Sequence, residues 1–180
     1  MIYSIFNYNF FAQFQAVNKK ELTEELNKEV VLGVNDYAWS AKCDVSTKRL
    51  DTNKYTELLQ PSINKFADTL QRKLNFAIDE AWLNSYEKGS YQEIHDHVPS
   101  DISCVFFLNH GTNFSEFYFR DRYSSDISFR LRQTLGFTDL WTPQISAGDI
   151  LFFPSNVLHG VSKHKSDTLR KTFACDIIIQ

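Results

Sequence analysis

Residues 86–97 read YEKGSYQEIHDH, and the two histidines one residue apart, His95 and His97, decide how the rest of the chain is read. Side chains at i and i+2 of an extended segment point to one face, so both imidazoles can reach a single metal ion while Asp96 turns away. The answering stretch, residues 148–170, reads GDILFFPSNVLHGVSKHKSDTLR. It delivers His159 after an apolar strand, and Arg170 eleven residues later. His159, coming from a distant strand, would complete a triangular ligand face and leave the opposite positions open, as a non-haem iron site requires.

Arg170 adds a seat for an acidic cosubstrate. A guanidinium holds a carboxylate through two parallel charge-assisted hydrogen bonds, where a lysine acts only as a point charge. On a strand following the third histidine, Arg170 can take the far carboxylate of a keto acid that chelates the metal through its other end. Thr172 shares the face of Arg170 on an extended strand, so its hydroxyl can support the same carboxylate.

The order Asn84-x-Tyr86-x-x-Gly89, His95-x-His97, Gly148-Asp149 before an apolar strand, Pro154-x-x-x-x-His159 and Arg170-x-Thr172 resembles the iron(II)/2-oxoglutarate-dependent dioxygenases. Within that superfamily it looks most like the small 2OG-Fe(II) oxygenases of bacteria and phages, with a looser similarity to prolyl hydroxylases. The resemblance covers Phe76 to Ile179. It implies iron(II) as cofactor, 2-oxoglutarate and dioxygen as cosubstrates, decarboxylation of the keto acid to succinate, and hydroxylation of a substrate. It also implies that Asn84 and Tyr86 contact 2-oxoglutarate, as hydrogen-bond donors to its oxygens.

The chain departs from the pattern at one ligand. The superfamily has His-x-Asp or His-x-Glu, and the carboxylate position here is His97. Either three histidines, His95, His97 and His159, bind the iron, or a bulged strand turns Asp96 inward and restores a two-histidine, one-carboxylate site. Strand alternation favours three histidines.

From Ala81 the apolar pattern has a period of two. Trp82, Asn84 and Tyr86 share a face, and strands are expected over Ile102–Leu108, Phe114–Arg120, Ile127–Leu131, Ile150–Phe153 and Lys171–Ile179. The unbroken runs CVFFL and ILFF predict strands covered on both sides. This is a mainly β sandwich or jelly roll, the double-stranded β-helix that the resemblance also implies. Upstream, Asn18 and Glu21 suggest a capping box opening a helix from about Asn18 to Val30, with Leu22, Leu26 and Val30 on its apolar face. A second helix is expected from Pro61 to Phe76, its stripe running through Ile63, Phe66, Ala67, Leu70 and Leu74. Ile2–Phe6 suggests an edge strand, and Gly33–Thr52 a loop with one or two short strands. The length suits one domain, residues 1–180, with 1–75 as support and 76–180 as the jelly-roll core.

Net charge is −3 and the sequence pI about 5.9, which disfavours a protein that tracks a phosphate backbone. Cys43, Cys104 and Cys175 have no metal-type spacing and read as reduced core residues; with no secretory signal and no membrane-length apolar run, a cytoplasmic protein is expected. His110 and His164 read as exposed, Asp149 as a turn residue, and Asp101 as an ordinary loop residue that could otherwise accept from an imidazole. The expected substrate is a protein side chain, with proline first, or a small metabolite; alkylated nucleic acid ranks third. A cupin-type three-histidine metalloenzyme without 2-oxoglutarate and a non-catalytic barrel are the alternatives from other classes.

Overall fold

The computed structural model describes residues 9–31, 43–73 and 75–180. The expected strand at Ile2–Phe6, the stretch around Trp39 and the side chain of Leu74 lie outside the described residues. Two antiparallel sheets face each other, as expected of a jelly roll. One has six strands in the order β1 (Ala12–Gln15), β9 (Asp149–Pro154), β6 (Ile102–Phe107), β11 (Arg170–Ile179), β4 (Phe76–Tyr86) and β3 (Ser46–Arg49). The other has five, in the order β2 (Cys43–Asp44), β5 (Tyr91–His95), β10 (Leu158–Val161), β7 (Phe117–Arg120) and β8 (Leu140–Trp141).

The apolar runs are buried on both faces because the six-stranded sheet is the middle layer of three. Cys104 and Phe106, Ile150 and Phe152, and Phe173 and Cys175 point outward to Leu22 and Leu26 of helix α1 (Lys19–Asn27) and to Tyr55, Leu59, Ile63 and Phe66 of helix α2 (Thr52–Thr69). Their alternates Val105, Phe107, Leu151, Phe153 and Ala174 point inward, against Phe117, Phe119 and Val161 of the five-stranded sheet. Period-two alternation therefore sorts one apolar run into two cores.

Several local expectations are corrected. Asn18 precedes α1, but its side chain makes no cap bond; its amide donates instead to the Leu58 carbonyl at 2.7 Å, and Val30 lies beyond the helix, exposed. Helix α2 begins nine residues before Pro61, capped by the Asp51 carboxylate, which accepts from Asn53 N at 3.0 Å. Tyr55 and Leu59 extend the buried stripe upstream, and that burial outweighs the single helical bond that Pro61 removes. The apolar run Ile127–Leu131 is not a strand. Ser128 caps a short helix, α3 (Phe129–Leu135), through Leu131 N at 3.2 Å, and Gly136 closes it at φ 69°, a conformation that favours glycine. No residue of α3 is buried.

No disulfide joins the three cysteines, all of which are buried. Among the described residues no helix is long and apolar enough to cross a membrane.

Phe152 is fully buried and stacks on Phe66 with ring centres 4.7 Å apart, whereas Phe129 is 66% exposed. Phe152→Ala should lower the unfolding free energy by about 3–5 kcal/mol, and Phe129→Ala should change it by less than about 0.5 kcal/mol; urea denaturation measures both.

Candidate metal and cosubstrate site

His95 ends β5 and is the Cα partner of His159 on β10, so strand pairing alone brings these two rings together, with centres 4.4 Å apart. His97 lies just beyond β5, where its backbone N–H donates to the Ser155 carbonyl at 2.8 Å. Its ring centre is 5.1 Å from each of the other two, and Trp82 stacks along it at 5.4 Å. One ligand atom from each of the three imidazoles falls within 4.8 Å of the others, a set that could hold a metal ion.

The second hydrogen bonds of the rings favour that role. Nδ1 of His95 lies 2.6 Å from the Glu93 carbonyl and Nδ1 of His159 lies 3.0 Å from the Val157 carbonyl. A carbonyl only accepts, so Nδ1 carries the proton in both and the lone pair is on Nε2. Nδ1 of His97 faces the Asp176 carboxylate at 2.9 Å, with the same consequence. Burial, then the neighbouring His97, pushes His95 down to about 4. His159 is held well below the ordinary histidine range, by burial and then by the other two rings. Both are neutral at physiological pH, the form that ligates a metal.

Asp96 is not part of this cluster. Its carboxylate pairs with Arg122 at the rim, and Arg122 also donates to the Asn156 carbonyl at 3.0 Å.

The residues expected to bind the cosubstrate line the same interior. On the paired strands β11 and β4, Arg170 lies opposite Tyr86 and Thr172 opposite Asn84, and all four side chains are buried. The Arg170 guanidinium sits over the Tyr86 ring, 4.5 Å from its centre, and over Phe107 at 5.6 Å. Arg170 is 3% exposed; its Nη1 has no hydrogen-bond partner, and among the described residues no carboxylate pairs with it. Burial pulls its pKa down, yet a guanidinium stays charged. A buried cation in this state is matched by an anionic ligand. The donor set thus fits both parts of the expected group: imidazoles for iron(II) and, for a carboxylate, a buried guanidinium whose Nη1 is unpartnered.

Tyr86 and Asn84 are partly committed within the protein. The Tyr86 hydroxyl donates to Gln92 Oε1 at 2.5 Å, and Asn84 Oδ1 accepts from Thr47 at 3.1 Å, leaving the amide N–H group of Asn84 as the donor for a ligand. Sequence reasoning missed Gln92 and Asp176. Asp176 could have been found, since it continues the face Arg170, Thr172, Ala174 along β11. Asp101 does not meet an imidazole; it accepts from Ile179 N at 2.8 Å. His110 is exposed as expected, but His164 is buried, taking a bond from Ser115 N at 3.1 Å and donating to the Thr168 carbonyl at 2.9 Å. Asp149 works within its turn, accepting from Ser146 N at 2.8 Å and from Gln13 at 2.9 Å.

A family profile described as "Putative 2OG-Fe(II) oxygenase" matches residues 80–176, more than half of the chain. No curated protein matches the sequence. Similar solved structures include an oxidoreductase of the 2OG-Fe(II) oxygenase family from Burkholderia pseudomallei (TM-score 0.65, 11% identity, covering 93% of this chain and 84% of that one). A prolyl-4-hydroxylase from Pseudomonas putida gives a TM-score of 0.64 at 14% identity, covering 94% and 92%. HygX from Streptomyces hygroscopicus, with nickel and 2-oxoglutarate bound, gives 0.66 at 12% identity, covering 94% and 83%. At these identities the likeness is one of fold, the double-stranded β-helix.

The lowered histidines predict how the metal-free protein responds to acid. The unfolded chain protonates His95 near pH 6.5 and the folded protein only near 4, so stability is full above 6.5 and is lost as pH falls toward 4. The loss from His95 alone amounts to about 3 kcal/mol at most, and His159 extends it to lower pH. Urea midpoints of the chelator-treated protein between pH 7.5 and 4 should show this decline, and His95→Gln should flatten it.

Proposed function

The chain belongs to the 2OG-Fe(II) oxygenase family, and from that premise we propose that His95, His97 and His159 hold the iron(II), that Arg170 with Thr172 binds the far carboxylate of 2-oxoglutarate, and that the enzyme hydroxylates a protein side chain, proline first. The observation that carries this assignment is the buried Arg170 with its unpartnered Nη1, on the same interior as three imidazoles whose hydrogen bonds leave Nε2 for a metal.

Iron(II) and 2-oxoglutarate together supply the oxidising chemistry: the keto acid is decarboxylated to succinate and one atom of dioxygen goes to the substrate. The protein's own residues bind, orient and exclude. Arg170 and Thr172 fix the carboxylate end of the keto acid, and the Asn84 amide is a further donor along its length. The Tyr86–Gln92 hydrogen bond holds the phenol ring under the guanidinium, so Arg170 is aimed before the ligand arrives. Trp82, Phe117 and Phe153 pack around the imidazoles and keep water from competing for the site.

A protein substrate is favoured by the surface beside the site. β7 and β8 extend the sheet outward from His159, and Phe119, the partner of His159, is itself paired with Trp141. Beyond them Tyr123, Phe129, Leu131, Leu135, Phe137 and Trp141 are all exposed. Exposed apolar side chains in this number on β8 and the segment between β7 and β8 suit a peptide more than a free metabolite.

Anaerobic titration with iron(II) and then 2-oxoglutarate should produce a visible metal-to-ligand charge-transfer band. Arg170→Ala should weaken the keto-acid affinity by about 10- to 100-fold, His97→Ala should abolish the band, and Asp96→Ala should leave it in place. Retention of the band in His97→Ala with loss in Asp96→Ala would return the carboxylate to the ligand set. For the substrate, release of succinate should rise more with proline-containing peptides than with free proline; the opposite order would favour a small metabolite.

A further inference from the structure

The sequence puts a histidine where a carboxylate ligand is the pattern, and the structure puts a carboxylate one hydrogen bond behind that histidine. Asp176 Oδ2 lies 2.9 Å from His97 Nδ1, with the two side chains 11% and 13% exposed. Its other oxygen, Oδ1, accepts from the Ser103 hydroxyl at 3.0 Å. Ser103 in turn meets the Ser155 hydroxyl at 3.0 Å, and the Ser155 carbonyl takes the backbone N–H of His97 at 2.8 Å. Ring and backbone of His97 are thus tied to one buried network, and Trp82 covers the ring.

Two features set this contact apart from those of the other imidazoles. His95 and His159 donate to backbone carbonyls, whereas His97 donates to an ionisable carboxylate. Among the described residues, moreover, the only basic group in ion-pair reach of Asp176 is His97 itself. A carboxylate buried without a cation is costly, and a metal dication on the far side of the imidazole offsets that cost.

Resting on the ligand set proposed above, we propose that Asp176 is the positioning residue of the metal centre: it fixes His97 in the Nδ1–H form and returns, through the ring, the negative charge that a His-x-His pair lacks. Such a partner orients its ligand and raises its basicity, and its removal lowers metal affinity by about 10- to 100-fold.

The test is a chelator competition with zinc(II) and with anaerobic iron(II), on wild type, Asp176→Asn, His97→Ala, the double variant and Asp96→Asn. Asp176→Asn should weaken both metals by about 10- to 100-fold, add little once His97 is already alanine, and differ from Asp96→Asn, which should match wild type. In parallel, nitrogen-15 NMR of the histidine rings in the zinc-loaded protein should show the Nδ1–H resonance of His97 displaced in Asp176→Asn, with those of His95 and His159 unmoved; a purely structural role for Asp176 would not single out one ring. Affinity in Asp176→Asn within twofold of wild type, while His97→Ala is impaired, overturns this proposal alone. Full affinity in His97→Ala overturns the ligand set and this proposal with it. Should Asp176→Asn fail to fold, the wild-type ring spectrum decides: an Nε2–H form of His97 in the metal-free protein overturns the proposal, and an Nδ1–H form with metal affinity weakened in Ser103→Ala supports it.

Discussion

The register of β11 between β4 and β6 is the constraint on which the rest of the molecule depends. It pairs Arg170 with Tyr86, Thr172 with Asn84, and Asp176 with Ser103, while Phe173, Cys175 and Ile177 point the other way into the helical layer. A slip of one residue would exchange the two sets, sending an arginine and an aspartate toward Phe66 and Leu59 and removing the polar groups of β11 from the interior. Burial of the outward face therefore specifies the inward one. Packing and site geometry are enforced by the same alternation.

That inward face has opposite charges near its two ends. Arg170 and Asp176 are six residues apart, about 20 Å along an extended strand, and neither has its full complement of charge within the protein. The guanidinium lies over Tyr86 and Phe107, and the carboxylate lies behind His97. The two ends of the interior therefore favour opposite charges, an anion beside the guanidinium and a cation beyond the carboxylate-backed imidazole. A keto-acid chelate of a divalent metal has that polarity, and this is the physical sense in which the fold anticipates its cofactor and cosubstrate.

Much of this was legible in the sequence, and for specific reasons. His95 and His97, His159 and Arg170 stand out because strand alternation converts spacing into facing, and CVFFL and ILFF announce strands covered on both sides because no polar residue interrupts them. Local chemistry failed where distant burial decided the outcome. Tyr55 and Leu59 carry α2 through Pro61 because a sheet lies beneath them, and Ile127–Leu131 is not a strand because Ser128 and Gly136 cap α3 across it. His164 looked like a loop histidine among lysines and is buried against Ser115, a contact 49 residues away in sequence. Gln92 was missed because a single buried polar residue has no periodic signature, whereas Asp176 continues the face of Arg170 and Thr172 along β11 and was there to be read. What each one serves is shown by a side chain brought near through the fold, Tyr86 for Gln92 and His97 for Asp176.

The order of the strands in the six-stranded sheet also has a consequence for how the chain reaches this state. β1 must wait for β9, whose residues follow more than 130 positions later, and β4 and β6 become neighbours of a common strand only when β11 inserts between them. At synthesis rates of about 5–20 residues per second, β4 and β6 emerge several seconds before β11 and spend that interval with unsatisfied edges. Such a topology, dominated by distant pairings, folds slowly and late. The three imidazoles all precede β11, two of them on the paired strands β5 and β10, whereas Arg170 and Asp176 lie on β11 itself, so a nascent chain halted before β11 carries the histidines without the guanidinium and the carboxylate that flank them.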